Sequence, residues 1–226
     1  MDIADAASLA RMIDHTLLDP LATAEGIERL CDEALEWGIP YVCVSPNRVA
    51  LAHGLVGPGA TVCSVIGFPS GAHSPAAKLI EAELALGDGA REIDMVVNLG
   101  AAVEGDAGAI EAEVAAIVRV AEQSHAHVKT ILETAALGPE RSRLAARAAL
   151  AGGAAWLKTS TGYHPAGGAT VEDVRLLVDE AGDRAQVKAS GGIRTLADAR
   201  TMVAAGARRL GTSKGIAILT EARASS

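Results

Sequence analysis

Aromatic residues are nearly absent: the 226 residues include one phenylalanine, two tyrosines and two tryptophans. So few rings exclude a stacking platform for nucleic-acid bases. Basic runs are missing too, and the net charge is −8, so nucleic acid is excluded as a partner. No apolar run reaches the roughly 18 residues that a membrane span needs. The opening MDIADAASLARMIDHTLLDP carries acid where a leader would carry base, and a cytoplasmic location is expected. The three cysteines, Cys31, Cys43 and Cys63, have no CxxC spacing, which argues against a disulfide framework or a structural zinc. The six histidines form no ligand spacing with carboxylates. Neither a metal nor a cofactor is expected.

Hydrophobic residues make up 50% of the chain, enough for one sizeable core and a single domain over 1–226. Eight short apolar runs are strand candidates: 12–18, 41–45, 61–68, 92–98, 128–133, 155–159, 186–190 and 208–213. Alanine-rich segments with apolar residues three and four apart lie between them and predict helices. Thr23 and Thr195 suit N-caps, and Gly38, Gly87, Gly152 and Gly206 suit C-termini. Strands alternating with helices imply parallel pairing through right-handed crossovers. Eight such units after a short N-terminal helix predict an α/β fold, the (β/α)8 barrel. An open doubly wound sheet is the alternative, and no GxGxxG follows the first strand to support it.

A barrel places its chemistry at the C-terminal ends of its strands. Only five lysines occur: Lys78, Lys129, Lys158, Lys188 and Lys214. Lys158 in AAWLKTSTGYHP and Lys188 in VKASGG sit one βα unit apart, on neighbouring strands. Asp94 lies between apolar residues in EIDMVVN. Parallel strands covered on both faces normally read as continuous apolar runs. Burial and a neighbouring cation both disfavour an ammonium, and an unprotonated lysine attacks carbonyls to form a Schiff base. Lys158 is therefore the candidate nucleophile, with Lys188 beside it and Asp94 as proton relay or water holder. A buried Lys–Asp ion pair that only sets register is the alternative. Lys129 in HVKTILET is a third interior charge or the partner of a carboxylate. Lys78 is expected to be solvated, and Cys43 to be core.

Ser190-Gly191-Gly192 follows the seventh strand, and Gly211-Thr212-Ser213-Lys214-Gly215 follows the eighth. These are the usual phosphate loops of a barrel, where glycine lets backbone approach an anion near a helix N-terminus. The expected partner is thus a small phosphorylated carbonyl compound.

The segments MIDHTLL, VCVSPNRV, CSVIGFPSG, EIDMVVNLG, VKTILET, WLKTSTGY, VKASGGIR and GTSKG together resemble the deoxyribose-phosphate aldolase family over roughly residues 8–217. The resemblance implies reversible retro-aldol cleavage of 2-deoxy-D-ribose 5-phosphate without a metal. It implies that Lys158 forms the Schiff base, that Lys188 tunes it and aids proton transfer, and that Asp94 gives or takes a proton. It also implies that Asp14 and Thr16 line the substrate end. Tyr163 stands where some members of the family carry a lysine, and Ser213-Lys214 where they have paired serines. Lys214 is then expected to supply charge to the phosphate. Two other readings remain open from the residues: a phosphosugar isomerase or epimerase without a covalent intermediate, and a non-catalytic phosphosugar-binding barrel. Apolar surface on the outer helices would suit a homodimer, although composition does not determine it.

Overall fold

A computed structural model describes residues 5–225. Eight parallel strands close into a barrel in chain order: β1 Ile13–Leu17, β2 Tyr41–Val44, β3 Thr61–Ile66, β4 Glu92–Val96, β5 His127–Ile131, β6 Trp156–Lys158, β7 Gln186–Ser190 and β8 Arg209–Thr212. Each of the eight expected runs matches one of these strands, and β5 alone begins outside its run, one residue early at His127. Most strands stop a residue or two early, because their last residues turn into the loops above the barrel. The short α1, Ala6–Ala10, precedes the barrel as expected, with the Asp5 side chain accepting from Ser8 N.

The connecting helices are α2 Ala24–Trp37, α3 Val49–Val56, α4 Pro75–Gly87, α5 Leu99–Glu104, α6 Ala107–Gln123, α7 Thr134–Ala151, α8 Val171–Ala181, α9 Leu196–Ala204 and α10 Gly215–Ala224. Local sequence explains their ends. In α2 the Thr23 hydroxyl accepts from Gly26 N, and Gly38 closes the helix at φ 66°. Thr195 and Asp198 form a reciprocal capping box on α9. Within α7, Gly138 at φ 69° breaks the first turn, so the regular helix begins at Pro139.

Side chains repeat on a strand face every second residue. The register therefore sorts each strand into two faces. Outward residues such as Ile13, Val42, Ile93, Met95, Leu157 and Leu210 are buried against the helices and form the main apolar core. The inward residues run in four diagonals down the barrel wall: Cys43–Cys63–Glu92, Asp94–Lys129–Trp156, Lys158–Lys188–Arg209 and Gly211–Asp14–Tyr41. This makes three levels of four residues from alternate strands, the usual barrel packing, in which Val, Ile and Leu dominate. Here the interior is mostly charged.

Candidate active site

The upper level, at the C-terminal ends of the strands, holds Cys43, Asp94, Lys158 and Gly211. The middle level holds Asp14, Cys63, Lys129 and Lys188, and the lower level Tyr41, Glu92, Trp156 and Arg209. Three carboxylates thus meet four cations in one buried network. Lys158 Nζ donates to Asp94 Oδ2 at 2.7 Å, and Lys188 Nζ donates to the same oxygen at 2.7 Å. Lys129 Nζ donates to Asp94 Oδ1 at 2.9 Å and to Glu92 at 2.6 Å. Asp14 accepts from Lys188 and, at 2.5 Å, from Arg209, whose guanidinium also reaches Glu92 at 3.3 Å. Arg209 lies 3.3 Å over the Tyr41 ring and 5.0 Å over that of Trp156, which closes the floor of the barrel.

Charge settles the protonation of most of these groups. Burial alone would push the Asp94 carboxyl up, but the ammonium groups of Lys129, Lys158 and Lys188 outweigh it and hold it well below the usual range. Asp14 is lowered to about 2 against the same burial penalty, by Lys188, Lys129 and Arg209. Burial would lower Lys188 and Lys129, but the carboxylates around them raise both. A lone buried lysine would shed its proton, but these two are not alone. Each has carboxylate partners that restore the charged form.

Above this network lies a cavity of about 450 Å³. Lys158, Thr16, Gly191, Gly192, Gly211, Ser213 and Lys214 line it, together with Tyr163, Thr161 and Arg194. Lys158 is the interior charge that reaches it. Asp94, Lys188 and Asp14 do not line it. For Asp14 this corrects the expected place at the substrate end: it is fully buried one level down, and Thr16, two residues on, takes the position at the mouth.

The loops around the cavity are held by their own polar groups. Glu133 accepts from Thr161 N and from the Thr161 hydroxyl at 2.5 Å, anchoring the segment after β6. Thr212 Oγ1 donates to Ile193 O at 2.7 Å and ties the loops after β7 and β8 together. Gly191 adopts φ 86°, and a Cβ there would lie 2.9 Å from Gly168 Cα. Only glycine lets the loop after β7 and the segment after β6 touch backbone to backbone. At Gly211 a Cβ would meet Lys188 Cε at 2.9 Å, so this glycine makes room for the lysine below. Lys214 is the N-cap residue of α10, exposed at the rim where the helix presents its free N–H groups.

Lys78 overturns the expectation of a solvated residue. It is fully buried, donates to Val96 O at 2.8 Å and pairs with Glu113 at 2.7 Å. Its stem runs over Gly67, where a Cβ would meet Lys78 Cε at 2.6 Å. Lys129 is both things proposed for it, an interior charge and a carboxylate partner. Cys43 is buried among Leu18, Cys63 and Val65. Among the described residues, two triads of potential metal ligands lie in the interior, Cys43–Cys63–Asp94 and Asp14–Cys63–Glu92. Their carboxylates already accept from ammonium or guanidinium groups, which repel a further cation.

Glu92, Cys63 and Arg209 escaped the reading of the sequence. Glu92 stands two residues before Asp94 and Arg209 two before Gly211, so stepping back by the strand period from the mouth would have found both.

A model of a family described as the DeoC/LacD family aldolases matches residues 8–221. Deoxyribose-phosphate aldolase 1 of Cutibacterium acnes is 50% identical over 218 residues, covering 96% of this chain and 99% of the relative. The deoxyribose-phosphate aldolase of Thermococcus gammatolerans is 47% identical, covering 95% and 96%. Among solved structures, the tetrameric deoxyribose phosphate aldolase of Aeropyrum pernix superposes with a TM-score of 0.90 at 37% identity, covering 96% of this chain and 91% of that one.

Proposed function

This chain belongs to the DeoC/LacD aldolase family, and from that premise we propose how its residues cleave 2-deoxy-D-ribose 5-phosphate to D-glyceraldehyde 3-phosphate and acetaldehyde. Lys158, as the free amine, adds to the C1 aldehyde of the open-chain sugar. Loss of water gives an iminium, an electron sink two bonds from C3. Removal of the C3 hydroxyl proton then lets the C2–C3 bond break, its electrons flowing into the iminium to give an enamine. Glyceraldehyde 3-phosphate departs. Protonation of the enamine at C2 and hydrolysis of the iminium release acetaldehyde and regenerate Lys158.

One observation carries this reading: Lys158 is the network's cation at the cavity. Without its proton, the three remaining cations match three carboxylates, so a neutral Lys158 leaves the buried interior balanced. Asp94 bonds directly to Lys158 and is held as a carboxylate. It is placed to orient the amine and accept a proton from it, and Lys188 remains charged beside it. The phosphate would sit against Gly191, Gly192, Ser213 and Lys214, where the first turn of α10 supplies N–H donors. Thr16 and Gly211 face the sugar between the two ends. The chemistry requires no metal, since the iminium is the electron sink.

No helix among the described residues is long and apolar enough to cross a membrane. A cytoplasmic enzyme acting on a small phosphorylated sugar is consistent with that. Ile80, Leu84 and Val103 expose apolar surface on α4 and α5, which supports a homodimer; light scattering tests it.

The activity is tested by incubating the protein with 2-deoxy-D-ribose 5-phosphate and assaying both aldehydes. Equimolar glyceraldehyde 3-phosphate and acetaldehyde support the reading. An isomerised sugar without carbon–carbon cleavage, or tight binding without turnover, would replace it with one of the other two readings.

A further inference from the structure

Arg209 and Glu92 touch no part of the cavity. They lie on the barrel floor, two levels below Lys158, with Arg209 stacked on Tyr41. Yet they join the same network by two routes: Arg209 to Asp14 to Lys188 to Asp94, and Glu92 to Lys129 to Asp94. Both routes end on the carboxylate that accepts from Lys158.

We propose that Arg209 and Glu92 are positioning residues whose opposite charges set the pH at which Lys158 becomes a nucleophile. The proposal rests on Lys158 being the Schiff-base lysine. Its basis is the balance of charge in a closed space. With Lys158 neutral, Lys129, Lys188 and Arg209 face Asp14, Glu92 and Asp94, three against three. Remove the charge of Arg209 and the interior balances only when Lys158 is protonated. Remove that of Glu92 and a protonated Lys158 leaves two excess cations, so the free amine gains. The two substitutions therefore displace the nucleophile's pH dependence in opposite directions. Loss of packing would impair both variants without this opposition.

Other groups face Lys158. Cys43 on β2 and Cys63 on β3 lie beside Asp94. Burial pushes the Cys63 thiol up, while a hydrogen bond with Cys63 lowers Cys43. Tyr163, Asp19, Arg194 and Lys214 stand at the solvated mouth. All six are common to wild type and variants, so a difference between variants holds whichever charge Cys43 carries.

The test is the pH dependence of borohydride trapping of acetaldehyde on Lys158, followed by mass spectrometry of the intact chain and of its peptides. Arg209→Met should move the half-trapping pH up by about one unit, the scale for a unit charge roughly 10 Å away at an effective dielectric near 20. Glu92→Gln, nearly isosteric, should move it down by a similar amount. Arg209→Met with Glu92→Gln should return it close to wild type, because the two opposite charge effects cancel. Arg209→Lys, which keeps the charge, should stay near wild type. Should Arg209→Met not fold, Glu92→Gln decides alone: a downward shift supports the proposal, and an unmoved or upward profile overturns it. Single variants that shift the same way, or a double variant that does not revert, also overturn it. Absence of trapping at Lys158 in the wild type would instead remove the Schiff-base assignment beneath it.

Discussion

At the scale of single residues, the proposed chemistry at Lys158 depends on Asp94. Its two oxygens accept from three ammonium groups, Lys158 and Lys188 on one and Lys129 on the other. A carboxylate held so firmly in its ionised form has no proton to give, so in the proposed mechanism its part in the resting enzyme is to orient the amine and accept. Asp94→Asn keeps the shape but removes that charge and the ability to accept a proton. Turnover of 2-deoxy-D-ribose 5-phosphate should fall by about 10²–10⁴-fold, with a much smaller change in KM. Steady-state kinetics checks this, and a large rise in KM at normal kcat would make Asp94 a binding residue. The pair Lys158 and Lys188 was legible in the sequence because charge at strand ends stands out against apolar runs. Arg209 was not, because Arg208-Arg209 reads as an ordinary solvated pair; only the strand's alternation turns the second inward, where it is buried while the first is exposed.

At the scale of elements, the eight strands and their helices followed from the alternation of short apolar runs with three-and-four spacing. What stayed hidden was the division of labour between strand faces. Lys78 shows the same limit on a helix: within SPAAKLIEAELALG its position does not say which face of α4 meets the barrel. Lys78→Ala would strip the buried Glu113 of its ammonium and leave Val96 O without its donor. Removing one member of a buried pair costs about 3–5 kcal/mol, which for a chain of this length is a fall in Tm of roughly 10 °C. Thermal unfolding followed by circular dichroism measures it, and an unchanged Tm would mean that the pair adds nothing. The glycines of the loops after β7 and β8 mark them in the sequence as a candidate phosphate site, and both loops line the cavity. Lys214 at the α10 N-terminus carries the next expectation. Lys214→Ala should weaken binding of the phosphorylated sugar by up to about tenfold, the low end for a charge-assisted hydrogen bond because the side chain is exposed. Cleavage of unphosphorylated 2-deoxyribose should be nearly unchanged. Equal effects on both substrates, or on neither, would take Lys214 out of the site.

At the scale of the whole molecule, a charged barrel interior ties folding to pH. Asp14 is lowered from 3.8 to about 2, and Asp94 lies well below its ordinary value. Groups lowered on folding contribute stability above their unfolded values and lose it as pH falls through the folded ones. Lys129 and Lys188 are raised above 10.5, so their contribution is complete below that value and is lost as pH climbs past it. The network should therefore give a plateau of stability from about pH 4 to about pH 10, bounded by falls on both sides. Urea midpoints across this range check it; a midpoint that declines steadily from pH 9 to pH 5 would contradict the assignment of these charges.

Everything functional in this account turns on one bond, between Lys158 Nζ and an aldehyde carbon. Wild-type protein incubated with acetaldehyde, reduced with borohydride, digested and sequenced by mass spectrometry reports that bond directly. The predicted result is a single ethylated lysine, Lys158, with Lys129, Lys188 and the buried Lys78 unmodified. An adduct on Lys188 or Lys129, or an active enzyme that traps no aldehyde at all, would contradict it.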